Sequence, residues 1–427
     1  MERYYMTDQT QQPRVSKDQT VYGWHVAVIV IGVAITLPAF LIGAEIMGAL
    51  GTQQGTYAIL TGGVILTVIA SICIYVAVSE RLTTYQLLEA SFGKMGSRMV
   101  SFLMSLTLLG WFGVTVSLFG QAMAKSVEAA FGVLLPVEFY IIIGTMVMTA
   151  TTIYGFHAMD ILSKFSVPLM MLVLIAGVYS VASEFTWSEI WAAPAKVKGS
   201  ITSFGGAVSI VVGAFMVGVV ILPDISRFIN RKSQVLVASV GSYGSFSSLI
   251  LIMAGLPGLM TGEKNLITVM FQSGLGVPAL IMMIFASWTS NISNLYSCGL
   301  GLTQVMPQVG KIQITIGAGI VGGLVALSGI MDHLIDFLVL LGIFIPPIAG
   351  IYIAHFFFSC GNSKRAVSSA AVISWVAASL MAMATSSDLF TLTYIPALDS
   401  LLVAVILYVV IAKAYAYSLR SQPSGGY

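Results

Sequence analysis

The sequence predicts an all-α integral membrane protein built from twelve transmembrane helices, and three observations carry that prediction. Only 8% of the 427 residues are charged while 57% are hydrophobic, where a soluble domain carries about 25% charged residues. The chain divides into twelve apolar runs of roughly the 20 residues that a helix needs to cross a bilayer. With the N-terminus inside, fifteen of the 19 lysines and arginines fall on the cytoplasmic side, and only Lys125, Lys196, Lys198 and Lys264 fall outside. That asymmetry follows the positive-inside rule, and a missed helix would scramble it. Both termini are therefore expected in the cytoplasm, with the chain in a plasma or inner membrane.

In order, the runs cover 24–46, 57–78, 97–124, 136–156, 162–183, 204–222, 235–260, 277–304, 312–329, 334–356, 367–385 and 398–416. Charged or Pro/Gly-rich breaks separate them, and no stretch of soluble-domain composition intervenes. The organisation read from this is a polar tail (1–22), one transporter-sized membrane domain (23–418) and a short tail (419–427). "LEASFGKMGSR" (88–98) reads as a glycine-bearing loop without a phosphate-binding pattern, and His157 with Asp160 reads as a short cytoplasmic loop. The polar N-terminus lacks the pattern of a cleavable signal.

Several classes are excluded early. Cys73, Cys298 and Cys360 are scattered and show neither disulfide nor zinc spacing. The formal net charge of +2 gives no footprint for a nucleic-acid partner. No convergent His/Asp/Glu or Ser/His set suggests an enzyme, and no nucleotide-binding pattern suggests ATP-driven transport. No organic cofactor is implied.

Two spans carry helix-breaking residues at matching positions. The first, "VIVIGVAITLPAFLIGAEIMG", holds Pro38 between Gly32 and Gly43; the sixth, "GGAVSIVVGAFMVGVVILP", holds Gly213 and Gly218 and ends at Pro223. Proline removes a backbone donor and clashes with the preceding turn. The two spans lie five apart, where two five-helix inverted repeats place corresponding helices (about 23–183 and 204–356). Interrupted segments in corresponding positions mark the binding site of a secondary transporter, because unwound backbone at bilayer depth must line a cavity or hold an ion.

The eighth span contains "FASWTSNISNLYS" (285–297), unusually polar for bilayer depth. On a helix, Ala286, Thr289 and Ser290 lie at i, i+3 and i+4 and share a face. One carbonyl and two hydroxyls provide neutral oxygens, the ligand type that hard cations take. Carbonyls of Gly32 and Thr36 at the broken first span would complete a sodium cage. Back-bonding to the preceding turn or helix–helix packing is the other reading of these hydroxyls. Asn291 carries an amide suited to the edge of a heterocycle.

Three stretches, "GWFGV" (110–114), "GAF" followed by "PDISRFINR" (213–215 and 223–231) and "WTSNISNLYSCGL" (288–300), resemble the nucleobase–cation symporters, the purine-cytosine permease-like family. The resemblance runs from about residue 20 to the end. It implies a LeuT-like core of five-plus-five inverted repeats with discontinuous helices one and six, followed by two extra C-terminal helices (about 367–416). It implies an aromatic sandwich of Trp111 and Phe215 around a planar base, a ligand-contacting amide at Asn291, and sodium held by Gly32, Thr36, Ala286, Thr289 and Ser290. Three further pocket positions depart from the cytosine-carrying members: Leu108 replaces a glutamine, and Ala214 and Val217 replace serines. Ile292 also replaces an acidic residue. The implied function is sodium-coupled import of a nucleobase or related flat heterocycle by a monomeric transporter; cytosine, a purine, a hydantoin and a thiamine-precursor pyrimidine are the substrate alternatives. Proton coupling through Glu45 or Asp224 and an uncoupled facilitator are the rival mechanisms. Asp224 and Arg227 read either as an interfacial charge cluster or as an inner-gate ion pair. Asp332, His333 and Asp336 are expected to face outer water.

Overall fold

The computed structural model describes residues 15–16, 19–196, 203–263, 266–330, 334–358, 366–387 and 389–420. Cys360, Asp332, His333 and most of both tails lie outside them, as does the Asp336 side chain. Helix fills each of the twelve apolar runs, and among the described residues no strand forms beyond one isolated bridge between Val21 and Ile229. Eight helices are long and apolar enough to cross a membrane; four shorter apolar helices accompany them.

The first run is broken. Helix α1 (Gly23–Ala34) stops at Ile35, and α2 (Leu37–Glu80) begins with Thr36 as its N-cap, whose hydroxyl accepts the Ala39 amide at 3.4 Å. Pro38 supplies no donor in that first turn, a position where none is needed. At 44 residues, α2 would span about 66 Å, twice the hydrocarbon core. Gly51 resolves this with φ 76° and ψ 176°, a conformation closed to other residues, which splits the element into the end of span one and all of span two.

Helix α3 (Thr84–Phe131) contains the stretch that reads as a loop in the sequence: 88–98 is helical, with a single non-helical kink at Gly93. Its apolar residues (Leu88, Phe92, Val100) are buried, so packing overrides the glycine signal. After α4 (Val137–Thr152), α5 (Phe156–Ala182) includes His157 and Asp160, which are therefore helical and not a loop. A short helix, α6 (Trp187–Ala192), follows outside the apolar runs.

Span six is α7 (Phe204–Val220) and the single turn α8 (Pro223–Ser226). The helix continues through Gly213 and Gly218; the interruption falls at Ile221–Leu222, where the ladder tightens before Pro223. Gly218 serves space instead of bending, since a Cβ there would lie 2.9 Å from the Tyr243 hydroxyl. Span seven runs from α9 (Val235–Ser239) through a π-helical segment, Val240–Ser247, into α10 (Ser248–Thr261). Beyond α11 (Leu266–Gln272), α12 (Gly276–Val305) packs along α1, α3, α4, α5 and α13 (Lys311–Leu327). The tenth run is interrupted at Ile345, between α14 (Leu334–Phe344) and α15 (Pro346–Phe358), before two prolines. The last two helices, α16 (Ser369–Ser386) and α17 (Pro396–Arg420), pack on each other and on α15.

Candidate functional site

The two breaks and the polar eighth span meet around one cavity of about 90 Å³. Helix α1 and its break contribute Val30, Val33, Ala34, Thr36 and Pro38; α7, α8 and their junction contribute Ala214, Phe215, Val217, Gly218, Ile221, Leu222 and Ile225. Trp111 and Thr115 enter from α3, and Tyr243 from the π-helical segment. From α12 come Ser290, Ser293, Asn294 and Ser297, spaced i, i+3, i+4 and i+7, one continuous polar face of a helix.

Trp111 and Phe215 thus line the same cavity. Trp111 is held edge-on by Phe337 (centroids 5.9 Å, 71°), and Phe215 is held likewise by Tyr243 (6.2 Å, 72°). Packing of this kind fixes ring planes. Ala214 and Val217 also line the cavity and offer only apolar surface. Leu108 is fully buried and is not among the lining residues.

Asn291 does not line the cavity either. One residue beyond Ser290 is a turn of about 100°, which aims its side chain at α4, where Nδ2 donates to the Met148 sulfur at 3.2 Å. Its Oδ1 is buried without a partner. The amide in the cavity is Asn294, which the resemblance passed over; the i, i+3, i+4, i+7 spacing from Ser290 was the signal that could have found it.

Three of the expected ion ligands converge. The Thr289 hydroxyl lies 2.8 Å from the Gly32 carbonyl, 2.8 Å from that of Phe285 and 3.2 Å from that of Ala286. A Cβ at Gly32 would meet Thr289 Cβ and Ser163 Oγ at 3.4 Å, so glycine permits the close approach of α1 to α12. Ser290 and Thr36 line the adjoining cavity; the Thr36 carbonyl accepts the Phe40 amide at 3.1 Å.

Asp224 and Arg227 are both buried at the C-terminal end of span six but make no direct ion pair. The Asp224 carboxylate instead accepts the Thr84 amide (2.9 Å), while the guanidinium lies 4.9 Å over the Phe228 ring. The ion pairs among the described residues centre on Asp160, which accepts from His25 of α1 and Lys164 of its own helix, each at 2.8 Å. Lys164 also sits over the Trp24 ring. No cluster of three or more His, Cys, Asp or Glu suited to a metal occurs among the described residues.

A helical core broken at spans one and six around a cavity lined by Trp111 and Phe215 defines a membrane transporter with a LeuT-like fold. The chain belongs to the family of permeases for cytosine/purines, uracil, thiamine and allantoin, whose defining pattern matches residues 15–362, and it is a multi-pass membrane transporter and not an enzyme. It is 31% identical over 315 residues to the cytosine permease of Escherichia coli K12, covering 72% of each chain. Its fold matches MHP1, a nucleobase-cation-symport-1 family transporter in a closed conformation with bromovinylhydantoin bound, at a TM-score of 0.85 and 18% identity over 97% of this chain and 96% of that one. It also matches a Na+-coupled sialic acid symporter in a substrate-bound outward-open state, at 0.73 and 13% identity over 95% and 94%.

Proposed function

We propose that this protein is a sodium-coupled symporter that imports a nucleobase or related flat heterocycle by alternating access. One observation carries the reading: the rings of Trp111 and Phe215 line a single cavity adjoining the point where Thr289 of α12 meets the Gly32 carbonyl at the broken first span. Sodium held by the carbonyls of Gly32, Thr36 and Ala286 and the hydroxyls of Thr289 and Ser290 ties α1 to α12 and orders the cavity wall beside it. Substrate stacks between the two aromatic faces. The coupling is reciprocal, so sodium raises substrate affinity by the same factor that substrate raises sodium affinity. Cytosine carriage by a 31% relative, and hydantoin binding and sodium coupling in proteins of the same fold, support the assignment. The transporter works as a monomer in a plasma or inner membrane with both termini in the cytoplasm.

Uptake into proteoliposomes tests this directly. Labelled cytosine, uracil, hypoxanthine or hydantoin is expected to accumulate above its external concentration only under an inward sodium gradient. Accumulation that follows a proton gradient and ignores sodium reassigns the coupling ion. Equilibration without accumulation makes the protein a facilitator.

A further inference from the structure

Ala214 and Val217 leave the α7 wall of the cavity without side-chain hydrogen-bonding groups at two family positions, and Leu108 of α3 is buried outside the lining. The polar groups that remain are unevenly placed. On α12, Ser293 and Asn294 are 6% and 8% exposed and make no hydrogen bond among the described residues. Across the cavity, Tyr243 is 3% exposed and its phenol has no hydrogen-bond partner either. Two of the remaining lining hydroxyls are already engaged: Thr115 donates to the Trp111 carbonyl at 2.9 Å and Thr36 caps α2. Buried polar groups are nearly always satisfied; unpartnered ones aimed into a cavity are satisfied by what the cavity holds.

Taking this cavity as the substrate site, we propose that Asn294, with Ser293 beside it, and Tyr243 are the residues that read the substrate's polar atoms, and that the substrate is a neutral cyclic amide. An asparagine amide offers an acceptor and two donors in one plane, so it can pair with a ring N–H and its adjacent C=O together. No charged side chain lines the cavity, and a cation buried there beside the proposed sodium would meet no countercharge. A cationic heterocycle is therefore rejected, and a lactam edge is selected. Tyr243 owes its position to the π-helical segment, where the extra residue per turn rotates the following side chains relative to an α-helix; such segments recur at functional sites. The phenol occupies the space that Gly218 leaves open. The readers of specificity have thus moved from the third and sixth spans to the eighth and seventh, while the aromatic sandwich stayed.

The test is ligand-induced thermal stabilisation of the purified full-length protein in sodium chloride, using uracil, cytosine and hydantoin, with 1,3-dimethyluracil as the probe lacking ring N–H groups. Tyr243→Phe keeps the ring and Asn294→Leu keeps the volume, so the ligand-free midpoint checks that each variant folds. Each substitution is expected to weaken the best-binding heterocycle about tenfold or more, the range for leaving a buried polar partner unmet, and 1,3-dimethyluracil is expected not to bind. Wild-type affinity in both variants, with binding still abolished by Trp111→Ala, overturns the assignment of the readers and leaves the transport reading intact. Equal binding of uracil and 1,3-dimethyluracil overturns the cyclic-amide edge. Failure of uracil, cytosine and hydantoin alike to stabilise the wild-type protein overturns the reading of this cavity as a site for a pyrimidine or hydantoin substrate.

Discussion

The hydroxyl of Thr289 lies 2.8 Å from the carbonyl oxygen of Gly32, across 257 positions of sequence. It fastens α12 to the last turn of α1, immediately before that helix breaks. A hydroxyl placed among three carbonyls can present its lone pairs to a cation that those carbonyls also ligate. Thr289→Ala removes one oxygen and leaves the others in place. We expect the sodium concentration for half-maximal uptake to rise about tenfold or more, matching the loss of one buried polar interaction, while Thr289→Ser largely restores it. Uptake measured against sodium concentration checks this, and an unchanged sodium dependence in the alanine variant removes Thr289 from the ion site.

Trp111→Ala should weaken every flat ligand alike. Stacking on an aromatic face contributes about 1–3 kcal/mol per base and does not depend on which base is stacked. Uracil, cytosine and hydantoin affinities are thus expected to fall together, whereas Tyr243→Phe changes their ranking. A loss confined to one ligand would show that Trp111 reads an edge and not a face.

How far the sequence reveals this site depends on whether a feature is local. The apolar runs, the positive-inside asymmetry and Pro38 are properties of single segments, and helix is found in each of those runs, with a break beside that proline. The stripe Ser290, Ser293, Asn294 and Ser297 was equally legible from helical spacing. Asn291 holds the family's motif position, but the rotation of about 100° between adjacent helical residues turns it away from that stripe. Other features depend on the assembled fold. The π-helical turn that delivers Tyr243, and Gly218 as a space-maker for its phenol, show only where Tyr243 meets Phe215 and Gly218 of α7. His25 and Asp160 are 135 positions apart, so neither looks partnered in the chain. Gly93 misled for the opposite reason: glycine marks loops on average, but buried neighbours kept the helix on both sides.

Asp160 joins the N-terminal ends of α1 and α5 through His25 and Lys164. It is 7% exposed, so its contacts are poorly screened. Asp160→Asn keeps the shape and removes the charge. The N-terminal turns of α1 should then detach more often, with amide hydrogen exchange over 23–30 speeding several-fold while exchange in the buried centre of α12 is unchanged. An exchange pattern identical to wild type would mean that the latch contributes nothing to holding α1 in place.

Asp399 organises the turn between the last two helices, far from the cavity. One carboxylate oxygen accepts from the Thr385 hydroxyl at 2.8 Å, the Thr391 hydroxyl at 3.0 Å and the Leu392 amide at 2.9 Å; the other accepts from the Thr393 amide at 2.8 Å and the Thr393 hydroxyl. Every partner is a donor, and the side chain is inaccessible to solvent. A carboxylate is the side chain that can satisfy all of them, because both its oxygens accept. Asp399→Asn turns one accepting atom into an NH2 group facing donors, so hydrogen bonds are lost and like dipoles oppose. Bonds to charged groups contribute about 1.5–3 kcal/mol each, and losing even one should lower the unfolding midpoint by several degrees. The α16–α17 pair packs mainly on α15, with smaller contacts from α16 to α3 and from α17 to α7. Substrate affinity and sodium dependence of the folded fraction are therefore expected to match wild type. Differential scanning fluorimetry alongside uptake normalised to folded protein separates the two effects; a large change in sodium or substrate dependence would place these extra helices inside the transport cycle.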